Sequence, residues 1–486
     1  MPAGANLRYW IDLALECIRR DHTPGRGAGE QAGPCLSARA LGMALAALHD
    51  GNAMAFGVAP LLPVSTGHVP TGSNPVIAGA AACHQLLTLR YPHQARYLQP
   101  AWARWLELHD FASTGSGTET AGRALGSAID AFGAKDAMLG KTNTYMATGA
   151  PYTHDCPPTD PGQGFYGSDW GRASRLRARQ VQNFPPPPGR VSPTAVVPSP
   201  DYAADHAEVA QKGVQRRALG TRTAQEEVTG IYWGYDGPAE LGTPPRLYLQ
   251  VLLAILDNVE IAKPGALTLN DELKIAAAAA VAMADAGIEA WHYKYAGTHM
   301  MWRPALGIPR ALAGNGVPDP AWEPLGRPDT NGNTLRRTPN FPAYPSGHAT
   351  FGAAAFQLLR LFLVEKGLAT FDPKGVDDVR FGFVSDEFNG RNTDPRTGEP
   401  RDLLTLEYES LWAATVANSL SRVYLGVHWQ FDGITKRGPA GGDSFGIPRS
   451  PAELGRTGGV WLGAQVANDL ALAIGVTAGT IAASKM

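Results

Sequence analysis

The 486-residue sequence predicts an all-α protein with long irregular loops. Apolar residues recur every three to four positions over six segments, which is the period of an amphipathic helix. Strict two-residue alternation is almost absent, so a large sheet is improbable. The chain is 44% hydrophobic and 18% charged, which provides material for a core and excludes a wholly disordered chain. The predicted helices cover residues 7–20, 36–49, 248–257, 272–291, 350–363 and 411–424.

Charge and composition narrow the classes of partner. The formal net charge is −2, so no overall basic field points to nucleic acid. The longest weakly polar run, residues 470–483, is too short and too rich in Gly and Thr to span a bilayer. No basic start is followed by an apolar stretch, so we expect a cytoplasmic protein without a membrane partner.

The spacing of the cysteines gives no indication of a zinc knuckle. Cys17, Cys35, Cys83 and Cys156 form no Cys-x-x-Cys pair. We therefore favour free buried thiols, and disulfides remain the alternative.

The chain divides near residue 200 into an N-terminal helical part, 1–200, and a C-terminal helical part, 201–486. Residues 150–200 are rich in proline and form either a linker or a covering segment packed across the surface. Four aromatic residues favour the covering segment: Phe165, Tyr166, Trp170 and Phe184. Other long loops are predicted over residues 304–344, 386–403 and 433–457.

Three short segments carry chemistry. In the first, Pro304 should stop a helix that includes Trp291, leaving Arg303 near the helix end. In the second, Ser346 and Gly347 begin an apolar helix, where a capping hydroxyl and an unobstructed amide can approach an anion. Taken alone, a solvated arginine and a simple helix cap are the plainer interpretations.

In the third segment, Arg422 is followed by His428 and Asp432. If the helix continues, His428 and Asp432 lie four residues apart on one face. The carboxylate could then hold one imidazole nitrogen and define the tautomer. A lone histidine in a core is the plainer interpretation.

Together the segments supply two arginines, a capping serine, a free glycine amide and, with His348, two histidines. This set suits a tetrahedral or trigonal-bipyramidal oxyanion combined with proton transfer. The remaining histidines match no metal-ligand spacing, and apart from His299 we interpret them as structural: His22, His49, His68, His84, His93, His109, His154, His206 and His292.

Arg-Pro, then Pro-Ser-Gly-His, then Ser-Arg-x5-His-x3-Asp resembles the signature of vanadium-dependent haloperoxidases and phosphatidic-acid-phosphatase-type acid phosphatases. Residues 36–50, 232–248, 341–351 and 421–432 further resemble the vanadium chloroperoxidase branch. The resemblance extends from about residue 7 to 475. It implies two packed four-helix bundles, with a vanadate site in the C-terminal bundle.

The resemblance also implies roles for single residues. His428 resembles the axial histidine that bonds vanadium, and His348 resembles the acid–base histidine beside the apical oxygen. The residues that would hydrogen-bond the equatorial oxygens are Arg303, Ser346, Gly347 and Arg422.

Three further residues resemble supporting groups of the family. Asp236 resembles the aspartate that pairs with the second arginine, here Arg422. Phe341 occupies the position that is phenylalanine in chloroperoxidases and histidine in many bromoperoxidases. Trp291 resembles a tryptophan lining the halide pocket.

The family's oxyanion-binding lysine is displaced in this sequence. The family places it seven residues before the arginine, where this chain has Ala296, and the nearest lysine is Lys294, nine before. On a continuous helix nine residues reach the opposite face. Either an irregular stretch around Gly297 returns Lys294 to the site, or the lysine is missing and His299 partly replaces it. The Trp291-to-Lys294 spacing matches the family and favours Lys294.

The resemblance thus implies that hydrogen peroxide oxidises bromide to a hypohalous acid equivalent. Oxidation of chloride is the more specific expectation. The competing enzyme class is an acid phosphatase in which His428 is the nucleophile and His348 the leaving-group acid. A third hypothesis is a non-catalytic helical scaffold that keeps a vestigial anion site. The sequence leaves open a small organic acceptor and a homo-oligomer.

Overall fold

A computed structural model describes residues 5–109, 111, 117–439 and 441–486. Within these ranges the chain is mostly helical. The α-helices are α1 (Ala5–Asp21), α2 (Gly33–Ala55), α3 (Pro75–Arg90), α4 (Ala95–Leu108), α5 (Gly117–Ala134), α6 (Pro200–Lys212), α7 (Ala224–Tyr232), α8 (Pro244–Ala262), α9 (Leu269–Lys294), α10 (Pro304–Gly307), α11 (Gly347–Glu365), α12 (Leu411–Tyr424), α13 (Gln430–Gly433), α14 (Gly459–Ala473) and α15 (Ala478–Ala483).

Each of the six predicted helices lies inside an observed helix, so the helical periodicity was a reliable guide. The sheets of the described residues are two antiparallel pairs, β1 (Phe381–Asn389) with β2 (Leu403–Tyr408) and β3 (Lys436–Arg437) with β4 (Asp443–Ser444). The expectation that no large sheet forms is confirmed. The loop predicted over residues 386–403 was wrong at both ends, because β1 and β2 extend into it.

Small residues let the central helices approach closely. Helix α2 packs along α9, and a Cβ on Gly42 would lie 3.1 Å from both the Ala280 carbonyl oxygen and the Ala284 Cβ. Helix α14 packs along α11, where a Cβ on Gly463 would overlap the Thr350 carbonyl oxygen. The alanine-rich run of α9 is fully buried for the same reason. The N-terminal and C-terminal parts therefore meet along a tight helix pair.

Residues 150–200 pack across these helices. The side chains of Trp170 and Phe184 are buried, and the Phe184 ring stacks on Tyr344 at 5.3 Å. The carboxylate of Asp285 in α9 accepts hydrogen bonds from three successive backbone amides, residues 176–178, at 2.6–2.8 Å. The Asp285 carboxylate therefore holds the covering segment on α9, because hydrogen bonds from backbone N–H groups to a carboxylate are stronger than neutral ones.

The four cysteines are free, and three of them are buried, as expected. Among the described residues α11 is long and apolar enough to cross a membrane by length and composition, but 94% of that stretch is buried inside the protein. The length and apolar composition of α11 are also those of a buried core helix.

Replacing Asp285 with Asn should loosen the covering segment. The amide keeps one acceptor oxygen and turns its NH2 group toward backbone donors, so we expect a loss of about 2–4 kcal/mol in the free energy of unfolding. Urea denaturation and limited proteolysis of residues 150–200 measure the effect.

The matched control is Asp469→Asn, which removes a more exposed carboxylate that binds Arg179 of the same segment. This pair should contribute under about 1 kcal/mol. Equal losses in the two variants would contradict the role of Asp285.

Candidate functional site

The three predicted segments converge at the N-terminal end of α11, and Arg303 joins them. Its guanidinium is fully buried. Nε donates to the Phe341 carbonyl at 2.9 Å, and Nη1 donates to the Val427 carbonyl at 2.8 Å and to His428 Nε2 at 2.9 Å. Phe341 precedes the second segment, and Val427 and His428 belong to the third. One side chain therefore holds all three segments in register.

The position of Arg303 differs from the prediction. Helix α9 ends at Lys294, and Arg303 directly precedes α10, so Pro304 begins a helix where we expected it to end one. The reason is that proline, which lacks an N–H, is also well suited to the first position of a helix. Between the two helices, residues 295–302 form an irregular connection.

His428 and Asp432 pair without sharing a helix. Helix α12 ends at Tyr424, so the prediction of one continuous helical face was wrong. His428 Nδ1 nevertheless donates to Asp432 Oδ2 at 2.9 Å, and the Trp429 amide donates to the same oxygen. This bond puts the proton on Nδ1 and leaves the Nε2 lone pair directed at Arg303. Burial and the nearby cations, Arg303 first, lower the pKa of His428.

Asp236 orders the other side of the site. Both of its carboxylate oxygens accept from Arg422 Nη2, at 2.9 and 3.0 Å. His348 lies beside the same carboxylate, with Nε2 3.9 Å from Asp236 Oδ1. Nε2 of His348 donates to the Gly234 carbonyl at 2.6 Å, so its Nδ1 is the nitrogen left to exchange protons. Burial, reinforced by Arg422, lowers the pKa of His348 to about 3.

Ser346 and Gly347 form the N-terminus of α11. Ser346 Oγ accepts from the Ala349 amide, and the Ser346 amide donates to the Asp432 carbonyl at 2.7 Å. The second and third segments are therefore tied together by their backbones. The amide of Gly347 is the first of the helix, where no intrahelical acceptor exists, and its orientation and dipole favour an anion.

Lys294 is buried at the edge of this site. Its ammonium donates to the carbonyls of Pro342, Ala343 and Pro345, and lies 5.1 Å from the centre of the Phe341 ring. Burial, together with the charge of Arg303, lowers its pKa. Because α9 ends at Lys294, no continuous helix joins Lys294 to Arg303. The expectation that the two residues lie on opposite helix faces therefore does not apply.

The two candidate residues for the displaced lysine lie in different surroundings. Lys294 lies close enough to Arg303 for that charge to lower its pKa, and its three N–H groups donate to backbone carbonyls. His299 instead directs Nε2 at the Phe184 carbonyl at 2.9 Å and Nδ1 at Thr298. Its ring stacks on Phe184, so it serves the covering segment.

The guanidinium groups keep donors that no protein group satisfies. Arg303 Nη2 and Arg422 Nε and Nη1 are buried without a partner among the described residues. Each unsatisfied buried donor costs about 1–3 kcal/mol, more for a charged group. Burial, reinforced by the charge of Arg422, lowers the pKa of Arg303 to about 9. Unpaired donors and crowded positive charge are both relieved by an oxyanion.

A cavity of about 250 Å³ leads to this cluster. Gly347, His348 and His428 line one part of it. Trp291 and Phe341 line another part, with ring centres 4.8 Å apart, and the Arg303 guanidinium lies over the Phe341 ring at 4.9 Å. In the described part of the chain no group of three or more His, Cys, Asp or Glu side chains could hold a bare metal ion. The buried guanidinium donors and the N-terminus of α11 give the site the character of an oxyanion site.

Sequence reasoning missed several residues of this region. Tyr166, from the covering segment, and Arg327 line the cavity, and so does His22, which we had interpreted as structural. His154 is fully buried, and its pKa is lowered by burial and by the charges of Arg303 and Lys294. No local pattern marks these residues, because they reach the site from distant parts of the chain.

Comparison with known proteins agrees with this geometry. Residues 274–447 match the family model of the VCPO second helical-bundle domain. Vanadium chloroperoxidase from Curvularia inaequalis is 30% identical over 503 residues, which cover 88% of this chain and 79% of that protein.

Solved structures share the fold. A bacterial vanadium-dependent iodoperoxidase superposes with a TM-score of 0.59 at 15% identity, covering 96% of this chain and 95% of its own. A holo-type bacterial vanadium-dependent chloroperoxidase gives 0.55 at 16% identity, covering 89% and 90%. With the extended sequence match to the fungal enzyme, these findings establish that the chain belongs to the vanadium haloperoxidase family.

Proposed function

We propose that this protein is a vanadium-dependent haloperoxidase that oxidises bromide, and chloride as the more demanding substrate, with hydrogen peroxide. The observation that carries the proposal is the set of buried, unpartnered guanidinium nitrogens beside His428 Nε2. Vanadate matches this set, because its oxygens accept hydrogen bonds and its metal takes one imidazole ligand. When bound, vanadate supplies a Lewis acid at the +5 level that polarises peroxide toward attack by halide.

The residues that would hold vanadate follow from their free atoms. His428 Nε2, which accepts from Arg303 in the vanadate-free protein, would supply the imidazole ligand, because Asp432 holds the proton on Nδ1. Arg303 and Arg422 contribute their unpartnered N–H groups. The Gly347 amide and the Ser346 hydroxyl add neutral donors at the positive end of α11. Asp236 keeps Arg422 in place through two hydrogen bonds.

His348 is the group placed to move a proton. Its Nδ1 is free to accept, while Nε2 stays protonated toward Gly234. Because its pKa is lowered to about 3, the free protein presents a neutral base over most of the pH range. We therefore assign His348 Nδ1 the role of the base that would take a proton from hydrogen peroxide and hold it for a later step.

Halide oxidation tests the proposal directly. Monochlorodimedone halogenation with peroxide and bromide or chloride, in phosphate-free buffer, should require orthovanadate. His428→Ala should abolish vanadate retention, whereas His348→Ala should retain vanadate and lose about 100-fold or more in turnover. Retention of vanadate by His428→Ala would contradict the ligand assignment. Hydrolysis of p-nitrophenyl phosphate without any halogenation would favour the phosphatase alternative.

Lys294 should strengthen vanadate binding. Replacing it with Met removes the charge and keeps much of the volume, so we expect vanadate affinity to fall about tenfold or more. Orthovanadate titration followed by calorimetry measures this.

The matched control for Lys294 is His299→Gln, which removes the other candidate and should leave vanadate affinity unchanged. A drop for His299→Gln with none for Lys294→Met would reverse the assignment.

The acid stability of the vanadate-free protein should depend on His348. In the unfolded chain a histidine has a pKa near 6.5, so below that pH the unfolded state binds a proton that the folded state excludes. The stability that this residue contributes is therefore complete above pH 6.5 and is lost as the pH falls toward 3. Between pH 6.5 and 4 we expect a loss of about 3 kcal/mol from this group.

Urea denaturation of the vanadate-free protein at several pH values, compared with His348→Gln, measures that contribution. The variant keeps an amide donor for Gly234 but cannot titrate. The other titrating groups are common to both proteins. Parallel curves for the two proteins would mean that His348 is not held neutral in the folded state.

A further inference from the structure

The cavity is larger than peroxide and a halide require. Each of these is about the size of one or two water molecules, of ~30 Å³ each. Four oxyanion oxygens at its inner end would fill roughly half of the 250 Å³. The remaining volume approaches the ~150 Å³ that accommodates benzene in an apolar cavity. There is thus space for one small ring.

The walls of the cavity suit an arene. Tyr166, Trp291, Phe341 and Phe351 line it, with the Tyr166 and Phe341 ring centres 6.1 Å apart. Aromatic faces and edges at this spacing bind a further ring by offset or edge-to-face contact. Tyr166 comes from the covering segment, outside the matched bundle domain, so this end of the cavity is particular to the assembled chain.

Arg327 provides a charged anchor on the same wall. It is the one lysine or arginine among the described residues that line the cavity. Its Nη1 donates to the Asp236 carbonyl at 2.8 Å, whereas its Nε is buried without a partner. Within the described ranges no carboxylate lies within ion-pair distance of it, and Nη2 has no hydrogen bond. The free Nε–Nη2 edge is the fork that binds a carboxylate through two parallel bonds.

Three other polar side chains of the wall already have hydrogen-bond partners. The Asp236 carboxylate is bound to Arg422. His22 uses both ring nitrogens, one toward the Ile18 carbonyl and the other toward the Gly33 amide. Thr243 shares a hydrogen bond with Ser37. Trp291 Nε1 is buried without a partner among the described residues, and Asn340 makes one long hydrogen bond, of 3.5 Å, to the Gln163 carbonyl. Arg327 is therefore the charged group of this wall with unmet hydrogen-bonding capacity, and Trp291 and Asn340 are neutral groups with such capacity.

We infer that the cavity binds a small electron-rich aromatic carboxylate, held by Arg327, as the organic acceptor of the oxidised halide. The inference rests on the proposed haloperoxidase function. In the net reaction an aryl C–H bond and the O–O bond of hydrogen peroxide break, and an aryl C–halogen bond forms. The halide loses two electrons, which reduce peroxide to two water molecules, and one proton is taken from solvent.

A competition experiment distinguishes a bound acceptor from a freely diffusing oxidant. Vanadate-loaded protein receives bromide, peroxide and equal amounts of 4-hydroxyphenylacetate and 4-hydroxyphenylacetamide, whose rings have similar reactivity. Reagent hypobromous acid in the same buffer gives the reference product ratio. The enzyme should favour the carboxylate about tenfold over that reference, the value of one charge-assisted pair.

Variants test the anchor. Arg327→Gln should return the product ratio to that of the reagent, and Arg327→Lys, which keeps the charge without the fork, should give an intermediate ratio. Arg336→Gln is the matched control on the same loop, because its guanidinium pairs with Glu323 away from the cavity. It should keep the wild-type ratio. Ratios are independent of the overall rate, so a slower variant is still informative.

Binding gives a readout that does not depend on turnover. Calorimetric titration of 4-hydroxyphenylacetate into the vanadate-loaded protein should show saturable binding that Arg327→Gln weakens about tenfold. A wild-type product ratio equal to that of hypobromous acid would overturn the inference, and so would a shifted ratio that Arg327→Gln leaves intact. Either result leaves vanadate-dependent bromide oxidation standing, whereas its absence would contradict the proposed function itself.

Discussion

The buried guanidinium of Arg303 is the contact on which the site depends. It donates to two backbone carbonyls and one imidazole, and these belong to segments that lie far apart in sequence. A guanidinium carries five donors in a rigid plane, so each acceptor that it holds is also oriented. The chain buries this charge at a cost that desolvation makes large. Its Nη2 is buried without a partner among the described residues, which is the observation from which a bound oxyanion is proposed.

The same electrostatics determine the protonation states of the two histidines. Burial, together with the nearby cations, favours the neutral form of both rings and lowers the pKa values of His348 and His428. Hydrogen bonds then select the tautomers, because His428 Nδ1 donates its proton to Asp432 and His348 Nε2 donates its proton to the Gly234 carbonyl. One ring thus presents a lone pair through Nε2 and the other through Nδ1. The two lone pairs are the basis for the ligand and base roles proposed above.

The prediction of helices succeeded because it used only local spacing. The amphipathic pattern and the small residues of α9 and α11 are visible in sequence, and they predict helices that lie inside the observed ones. The errors occurred where tertiary contacts replace helical continuity. Pro304 begins α10 because its missing N–H is harmless there, and Asp432 reaches His428 from the separate helix α13. A continuous helix was the simplest inference from a four-residue spacing, and it was wrong.

The sequence by itself determined the helices, the chemical types brought to the site and, through its motifs, the family. Those properties depend on residues close together in the chain. Tertiary structure alone decided that Lys294 lies near Arg303, that His299 packs on Phe184 instead, and that Tyr166 and Arg327 share a cavity with His348 and His428. Tyr166 and Arg327 are more than a hundred residues apart in the chain. Only the packing of the covering segment on the helices brings them together, and no spacing along the chain encodes such a distance.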